Sequence, residues 1–126
     1  MPKINEDIAG HAKKNTDFRR VILTNKFSQV VLMSVEPGDD IGEETHEGDQ
    51  ILYFVDGEGE AVLSGKKSKI AAGSLVSVPA GIRHNFINTG SKPLKLYTVY
   101  APPEEPEGTV HKTKAEAEAA EAEKED

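Results

Sequence analysis

Two glycine-bounded stretches constrain this chain more than anything else in it. The first, GDDIGEETHEGDQILYFVDG, runs from Gly38 to Gly57 and places Glu44, His46 and Gln50 within seven positions of one another. A Gly-containing turn, Glu47-Gly48-Asp49, lies between His46 and Gln50. The second, GSLVSVPAGIRHNFIN from Gly73 to Asn88, supplies His84 just after a Pro-Ala-Gly bend. Side chains alternate along a strand, so residues two apart share a face. Glu44 therefore projects with His46, and Phe86 and Asn88 project with His84. If the two stretches pair inside one barrel, two imidazoles, one carboxylate and one amide oxygen converge. That donor set suits a divalent transition metal.

The rest of the chain reads as short strands between turn signals. Phe18 to Leu23 is strand-like and is followed by a turn at Asn25-Lys26. Phe27 to Val35 is rich in β-branched and apolar residues and ends at Pro37-Gly38. A strand carries Glu44 and His46. Gln50 to Val55 ends at Asp56-Gly57, a strong hairpin signal. Glu60 to Ser64 and Ser68 to Ala71 pair across Gly65-Lys66, Ser74 to Val78 stops at Pro79, Asn85 to Asn88 follows His84, and Leu94 to Tyr100 is the last strand. Such spacing indicates an all-β barrel or sandwich. Before it, Asp7 to Lys14 can form a short helix, interrupted by Gly10.

The two stretches resemble the paired motifs of the cupin superfamily. The first family motif runs Gly, five residues, His, any, His, three or four residues, Glu, six residues, Gly. Here Gly38, Glu44, His46, Gln50 and Gly57 occupy those positions, with Glu44 in place of the first His and Gln50 in place of the Glu. The second motif is complete in Gly73, Pro79, Gly81, His84 and Asn88. The resemblance covers Phe27 to Tyr100. It implies a double-stranded β-helix, the cupin form of the jelly roll, in three parts: an N-terminal arm and first strand (1–26), the barrel (27–100), and a Pro-rich arm with an acidic tail (101–126). It also implies one bound divalent transition metal (Mn, Fe, Ni or Zn) and a homodimer, in which the polar arm and the strand Phe18–Leu23 cover a neighbour's sheet edge.

Composition narrows the rest. The chain's 126 residues fit one domain with one core. Fifteen Lys and Arg against 22 Asp and Glu give a net charge of −7, which argues against nucleic acid or an anionic membrane as partner. No apolar run approaches the roughly 20 residues that span a bilayer, and the N-terminus lacks a signal-peptide core. With no cysteine there is no disulfide and no thiolate chemistry; a cytoplasmic location is the default expectation. Ala101 to Gly108 reads as an extended, proline-stiffened arm leaving the barrel. From Lys112 onward the chain is Ala, Glu and Lys with no apolar stripe, so a helix there is expected to fray.

Individual residues carry alternatives. His46 and His84 are either barrel histidines bonded to backbone or metal ligands; their joint spacing favours ligation. Glu44 is either a rim carboxylate in an acidic loop or a ligand, and its shared phase with His46 favours the latter. Gln50 either ligates or hydrogen-bonds a metal-bound water. Gly57, Gly73, Pro79 and Gly81 are structural. Leu52, Phe54 and Phe86 are pocket wall or plain core. Arg83, on the phase opposite His84, is a rim residue or an anchor for an anion. Tyr53, Tyr97 and Tyr100 each carry a hydroxyl that phase alone does not assign, and nothing places His11 or His111 in a site. The leading functional reading is a metal-dependent enzyme, isomerase- or dioxygenase-like, acting on a small oxygenated or anionic metabolite; the single-domain cupins it resembles include mannose-6-phosphate isomerase-like ones. The alternative is a non-catalytic, metal-stabilised module that binds a sugar or acid.

Overall fold

Strand alternation decides the architecture. In Leu94–Ala101 (β8), Leu94, Leu96, Thr98 and Tyr100 are buried while the residues between them are half exposed. In His84–Asn88 (β7), His84, Phe86 and Asn88 turn inward in the same way. A computed structural model describes residues 5–125, with strands β1 (Arg19–Thr24), β2 (Gln29–Val35), β3 (Asp49–Asp56), β4 (Glu58–Leu63), β5 (Lys66–Ala71), β6 (Leu75–Val78) and β9 (Val110–His111) completing the set. They form a six-stranded sheet, ordered β6-β3-β8-β2-β1-β9, facing a three-stranded sheet, ordered β5-β4-β7. The pairings are antiparallel. Phe54, Leu52, Phe86, Leu94, Leu96 and Met33 fill the space between the sheets, each at most 1% exposed. The fold is a jelly roll, as expected.

The outer face of the larger sheet is covered by helix α1 (Ile8–Lys14), whose Ala12 packs on Leu32 and Val55. The helix is not interrupted at Gly10. Gly10 stands in the first turn, where its N–H is donated to the Asp7 side chain at 3.2 Å, so it helps to cap the helix. Tyr53 and Tyr97 lie on this outer face, their ring centroids 5.4 Å apart.

Two glycines are required by close approach. Gly57 adopts φ +92° at the β3–β4 turn. Gly59, on β4, passes so near β7 that a Cβ there would lie 2.3 Å from the Ile87 carbonyl oxygen. Gly59→Ala should therefore push β4 from β7 and cost about 1–3 kcal/mol. Urea unfolding measures this: the midpoint should fall with an unchanged slope, and an unaltered midpoint would show that the two strands yield freely.

The chain after Tyr100 corrects two expectations. The proline-rich arm does not leave the barrel. Gln29, fully buried, accepts hydrogen bonds on Oε1 from the Glu104 and Glu105 amides at 3.2 and 3.0 Å, and donates from Nε2 to the Glu105 carbonyl at 2.8 Å and to Thr24 Oγ1 at 3.0 Å. Within the chain, β1 pairs with β2 on one edge and with β9 on the other. And the acidic tail is a helix, α2 (Lys114–Glu125). Its start is capped: Thr113 Oγ1 accepts from the Glu116 amide at 3.1 Å, while Glu116 accepts from the Lys112 amide at 2.7 Å. Ala117, 4% exposed, joins the core beside Phe18, and Lys114 clamps Asp39 and Asp40. One buried alanine, one lysine and a cap dock this helix without any apolar stripe. A chain ending at His111 should thus lose roughly 1–2 kcal/mol, seen as a melting temperature lower by roughly 4–8 °C. An unchanged melting temperature would mean that the helix contributes nothing.

Candidate metal centre

Backbone pairing builds the centre before any side chain is considered. Glu44 and His46 lie on no regular strand, contrary to expectation; an isolated bridge fixes them instead. The Glu44 amide is donated to the His84 carbonyl and the His84 amide to the Glu44 carbonyl, both at 2.9 Å. The His46 carbonyl accepts from the Gly81 amide at 2.9 Å, which ties the Pro79–Gly81 bend to the same place. One ligand atom from each of Glu44, His46 and His84 then lies within 4.8 Å of the others. The two imidazole centroids are 5.1 Å apart, and His46 Nε2 lies 3.9 Å from Glu44 Oε2.

Hydrogen bonds fix which atoms remain available. His84 Nδ1 lies 2.9 Å from the Ile82 carbonyl oxygen, which only accepts, so Nδ1 carries the hydrogen and Nε2 keeps its lone pair. Gln50 is set by a relay. The Thr98 hydroxyl is donated to the Ile51 carbonyl at 3.0 Å, so Thr98 must accept from Gln50 Nε2 at 3.1 Å, and Gln50 Oε1 is left over. His46 Nδ1 lies 3.2 Å from Glu104 Oε1. His46 Nε2, His84 Nε2 and Gln50 Oε1 are all buried without a hydrogen-bond partner. An unpaired buried polar atom costs about 1–3 kcal/mol. Three of them on the inward faces of one barrel constitute an unmet demand for a cation or a donor.

Electrostatics agrees with burial. The Glu44 carboxyl is pushed above the usual carboxylate range, chiefly by burial, against the pull of His46 and Arg19. Burial lowers His84, outweighing its bond to Ile82, and holds the Tyr100 phenol well above its ordinary value. Tyr100 meets His46 edge-on at 5.5 Å, so among the three tyrosines it is the one at the centre. The sign for His84 is clear. Its folded pKa lies below the unfolded 6.5, so its contribution to stability is complete above pH 6.5 and is lost as pH falls through the folded value. In metal-free protein the His84 ring should titrate below 6.5 by NMR; a midpoint at or above 6.5 would contradict the burial argument.

A cleft of about 450 Å³ opens beside Glu44, between the loop 40–44, Phe18, Arg19 and helix α2. Of the four predicted ligands, Glu44 borders it, with its side chain 29% exposed, while the two histidines and Gln50 are buried. Arg83 is a rim residue, 65% exposed and paired with Glu43 at 2.9 Å. Leu52, Phe54 and Phe86 are core. His11 sits on α1 and His111 on β9, neither among the clustered donors. Asn88, the last motif residue, is structural: it donates to the Val35 and Lys92 carbonyls at 2.8 and 2.9 Å. Sequence reasoning missed Glu104, and it missed the buried pair Arg19–Glu105 at 3.8 Å. These residues stand outside both motifs, in segments whose polarity resembles an ordinary surface.

The comparisons with known proteins meet this geometry from outside. Residues 31–100 match the family described as Cupin domain. The Bacillus subtilis protein YrkC is 47% identical over 116 residues, covering 86% of this chain and 62% of YrkC, so the chain spans less than two thirds of that relative. A solved structure from Bacillus halodurans is 41% identical with a TM-score of 0.91, covering 92% of this chain and 93% of that one. Another from Thermotoga maritima, described as a predicted oxalate decarboxylase, is 30% identical with a TM-score of 0.62, covering 66% and 77%. Among the described residues no helix is long and apolar enough to cross a membrane. By its sequence, its paired sheets and these matches, the chain belongs to the cupin domain family.

Proposed function

We propose that Glu44, His46, His84 and Gln50 hold one divalent transition metal (Mn, Fe, Ni or Zn) and that the protein is a metal-dependent enzyme acting on a small oxygenated molecule. One observation carries this reading. The buried atoms His46 Nε2, His84 Nε2 and Gln50 Oε1 have no hydrogen-bond partner, while His84 Nδ1 and Gln50 Nε2 donate on the far side of their groups and His46 Nδ1 faces the Glu104 carboxylate at 3.2 Å, which favours those atoms as acceptors. Two neutral imidazoles, a carboxylate and an amide oxygen fit such an ion. When bound, the metal supplies Lewis acidity, polarising an oxygen of the ligand or acidifying water.

The chain's own residues do the rest. Glu44 is the donor that meets whatever occupies the cleft, whose size suits a small molecule. Tyr100 and Phe86 close the inner side of the two imidazoles with apolar ring edges and exclude water. Glu43 is paired with Arg83 and Asp40 with Lys114, which tempers the acidity of the rim. With one carboxylate on a divalent ion the centre keeps a formal positive charge, and that favours a carboxylate or enolate oxygen as ligand. The description of the Thermotoga protein as a predicted oxalate decarboxylase supports the same ligand class. A second reading, a binding module without turnover, is favoured by one observation: Tyr100, whose ring meets His46, is kept protonated by burial and gives up no proton at neutral pH.

Elemental analysis of protein purified without chelator should find about one transition metal per chain. A clean preparation that neither holds nor takes up Mn, Fe, Ni or Zn overturns the proposal. Incubating the loaded protein with small carboxylates separates the two readings, since an enzyme converts one of them and a module returns it unchanged.

Gln50→Glu is nearly isosteric and isolates charge. It should tighten metal binding at least roughly tenfold, about 1.4 kcal/mol, and weaken carboxylate binding at the loaded centre. Titration of both on one preparation decides it. If neither constant moves, Gln50 does not touch the metal and the ligands number three.

A further inference from the structure

We propose that Glu104 is a positioning residue of the metal centre: it sets the tautomer and orientation of His46 from a segment that lies outside the matched cupin domain. This rests on the metal reading above. The two imidazoles are held by unlike means. His84 Nδ1 is satisfied by the carbonyl of Ile82, two residues away on its own turn. His46 Nδ1 meets Glu104 Oε1 at 3.2 Å, a carboxylate delivered by the chain after Tyr100. A carboxylate facing one imidazole nitrogen holds the hydrogen on that nitrogen and leaves the other as a more basic donor. His46 Nε2, the atom so exposed, is one of the buried orphans.

The delivery is built, not incidental. Glu104 is 38% exposed on its side chain, so contact with His46 depends on how its backbone is fixed. Gln29 fixes it through three of the hydrogen bonds described above, those from the Glu104 and Glu105 amides and that to the Glu105 carbonyl. Glu105 adds a second anchor by pairing with Arg19, both side chains about 95% buried. The cupin match ends at Tyr100. The motif residues therefore supply the donors, while the orientation of one donor comes from the arm.

Glu104→Ala, Glu104→Gln and the unaltered protein test this, with two readouts. The first is the ring nitrogen spectrum of ¹⁵N-labelled, metal-free protein near pH 8, where imidazoles are neutral. The unaltered protein should show His46 with its hydrogen on Nδ1. Glu104→Ala should give a mixture of tautomers, and Glu104→Gln, whose amide oxygen still accepts, should restore the Nδ1–H form. The second readout is metal affinity, which should fall about 10–100-fold in Glu104→Ala and less in Glu104→Gln, with melting temperatures close to the unaltered protein because the side chain is part-exposed. An Ala variant that keeps a single Nδ1–H tautomer and binds metal within about twofold of the original would overturn the proposal. If the unaltered protein takes up no metal, the metal reading fails, and the tautomer spectrum still decides whether Glu104 orients His46.

Discussion

Replacing His84 by alanine should all but eliminate metal binding. Structural metal sites with four donors bind with about 10–16 kcal/mol, or about 2.5–4 kcal/mol for each donor, and that is roughly 60- to 800-fold in affinity. His84 has a larger share than an average donor. Its Nε2 is buried, its tautomer is already fixed by Ile82, and burial keeps it neutral, so it needs neither reorganisation nor proton release to bind. Removing it leaves one imidazole, one carboxylate and one amide, too few nitrogens to hold a borderline metal against water. Because His84 is 3% exposed, the alanine variant also opens a void. His84→Gln keeps most of the volume and serves as the control for folding. Both variants should melt cooperatively and take up well under one metal per chain at concentrations that saturate the original. Retention of one tightly held ion by the alanine variant would remove His84 from the centre.

Phe86→Ala should be the most damaging change to stability. Phe86 is 1% exposed, stands on β7 between His84 and Asn88, and meets Phe54 across the core at 5.7 Å. Truncating a buried phenylalanine costs about 3–5 kcal/mol, against a total of about 5–15 kcal/mol for a domain. The same ring lies 5.9 Å from the His84 imidazole, so its loss should also loosen that side chain. Denaturant unfolding with and without metal separates the two effects. Metal at 100 times its dissociation constant adds about 2.7 kcal/mol to a native state that binds it. The variant should recover less than the original does at equal metal, since its affinity has dropped. A loss below about 1 kcal/mol, or full recovery by metal, would show that Phe86 neither fills the core nor supports the site.

What could be read from the residues follows physical lines. The strands were legible where alternation with period two leaves its mark, as in Leu94, Leu96, Thr98 and Tyr100, and elsewhere from turn signals and β-branched runs, as around β2 and β5. Glu44 and His46 were placed on the right side by phase, although the segment that carries them is a single bridge and not a strand. The tail was misread because its docking rests on Ala117 and Lys114, and neither an alanine nor a lysine registers as an apolar stripe. Its cap, Thr113 with Glu116, does follow a known spacing and was overlooked. Glu104 was out of reach for a different reason. No periodicity connects residue 104 to residue 46; only the buried Gln29 does, and a buried glutamine looks in sequence like any polar residue at the start of a strand.

That glutamine also has a bearing on time. Gln29 and Glu105 are 76 residues apart, so on a growing chain the glutamine is made long before its partner. At about 5–20 residues per second the interval is roughly 4–15 s. Through that interval any compact intermediate that covers Gln29 must bury an amide with most of its hydrogen bonds unmade, at a penalty of about 1–3 kcal/mol. The nascent barrel should therefore stay open along β2 until the arm emerges, and His46 should reach its final orientation among the last events of folding. Metal added during synthesis would then find no completed centre, and capture should follow release of the arm by no more than the time the barrel takes to close.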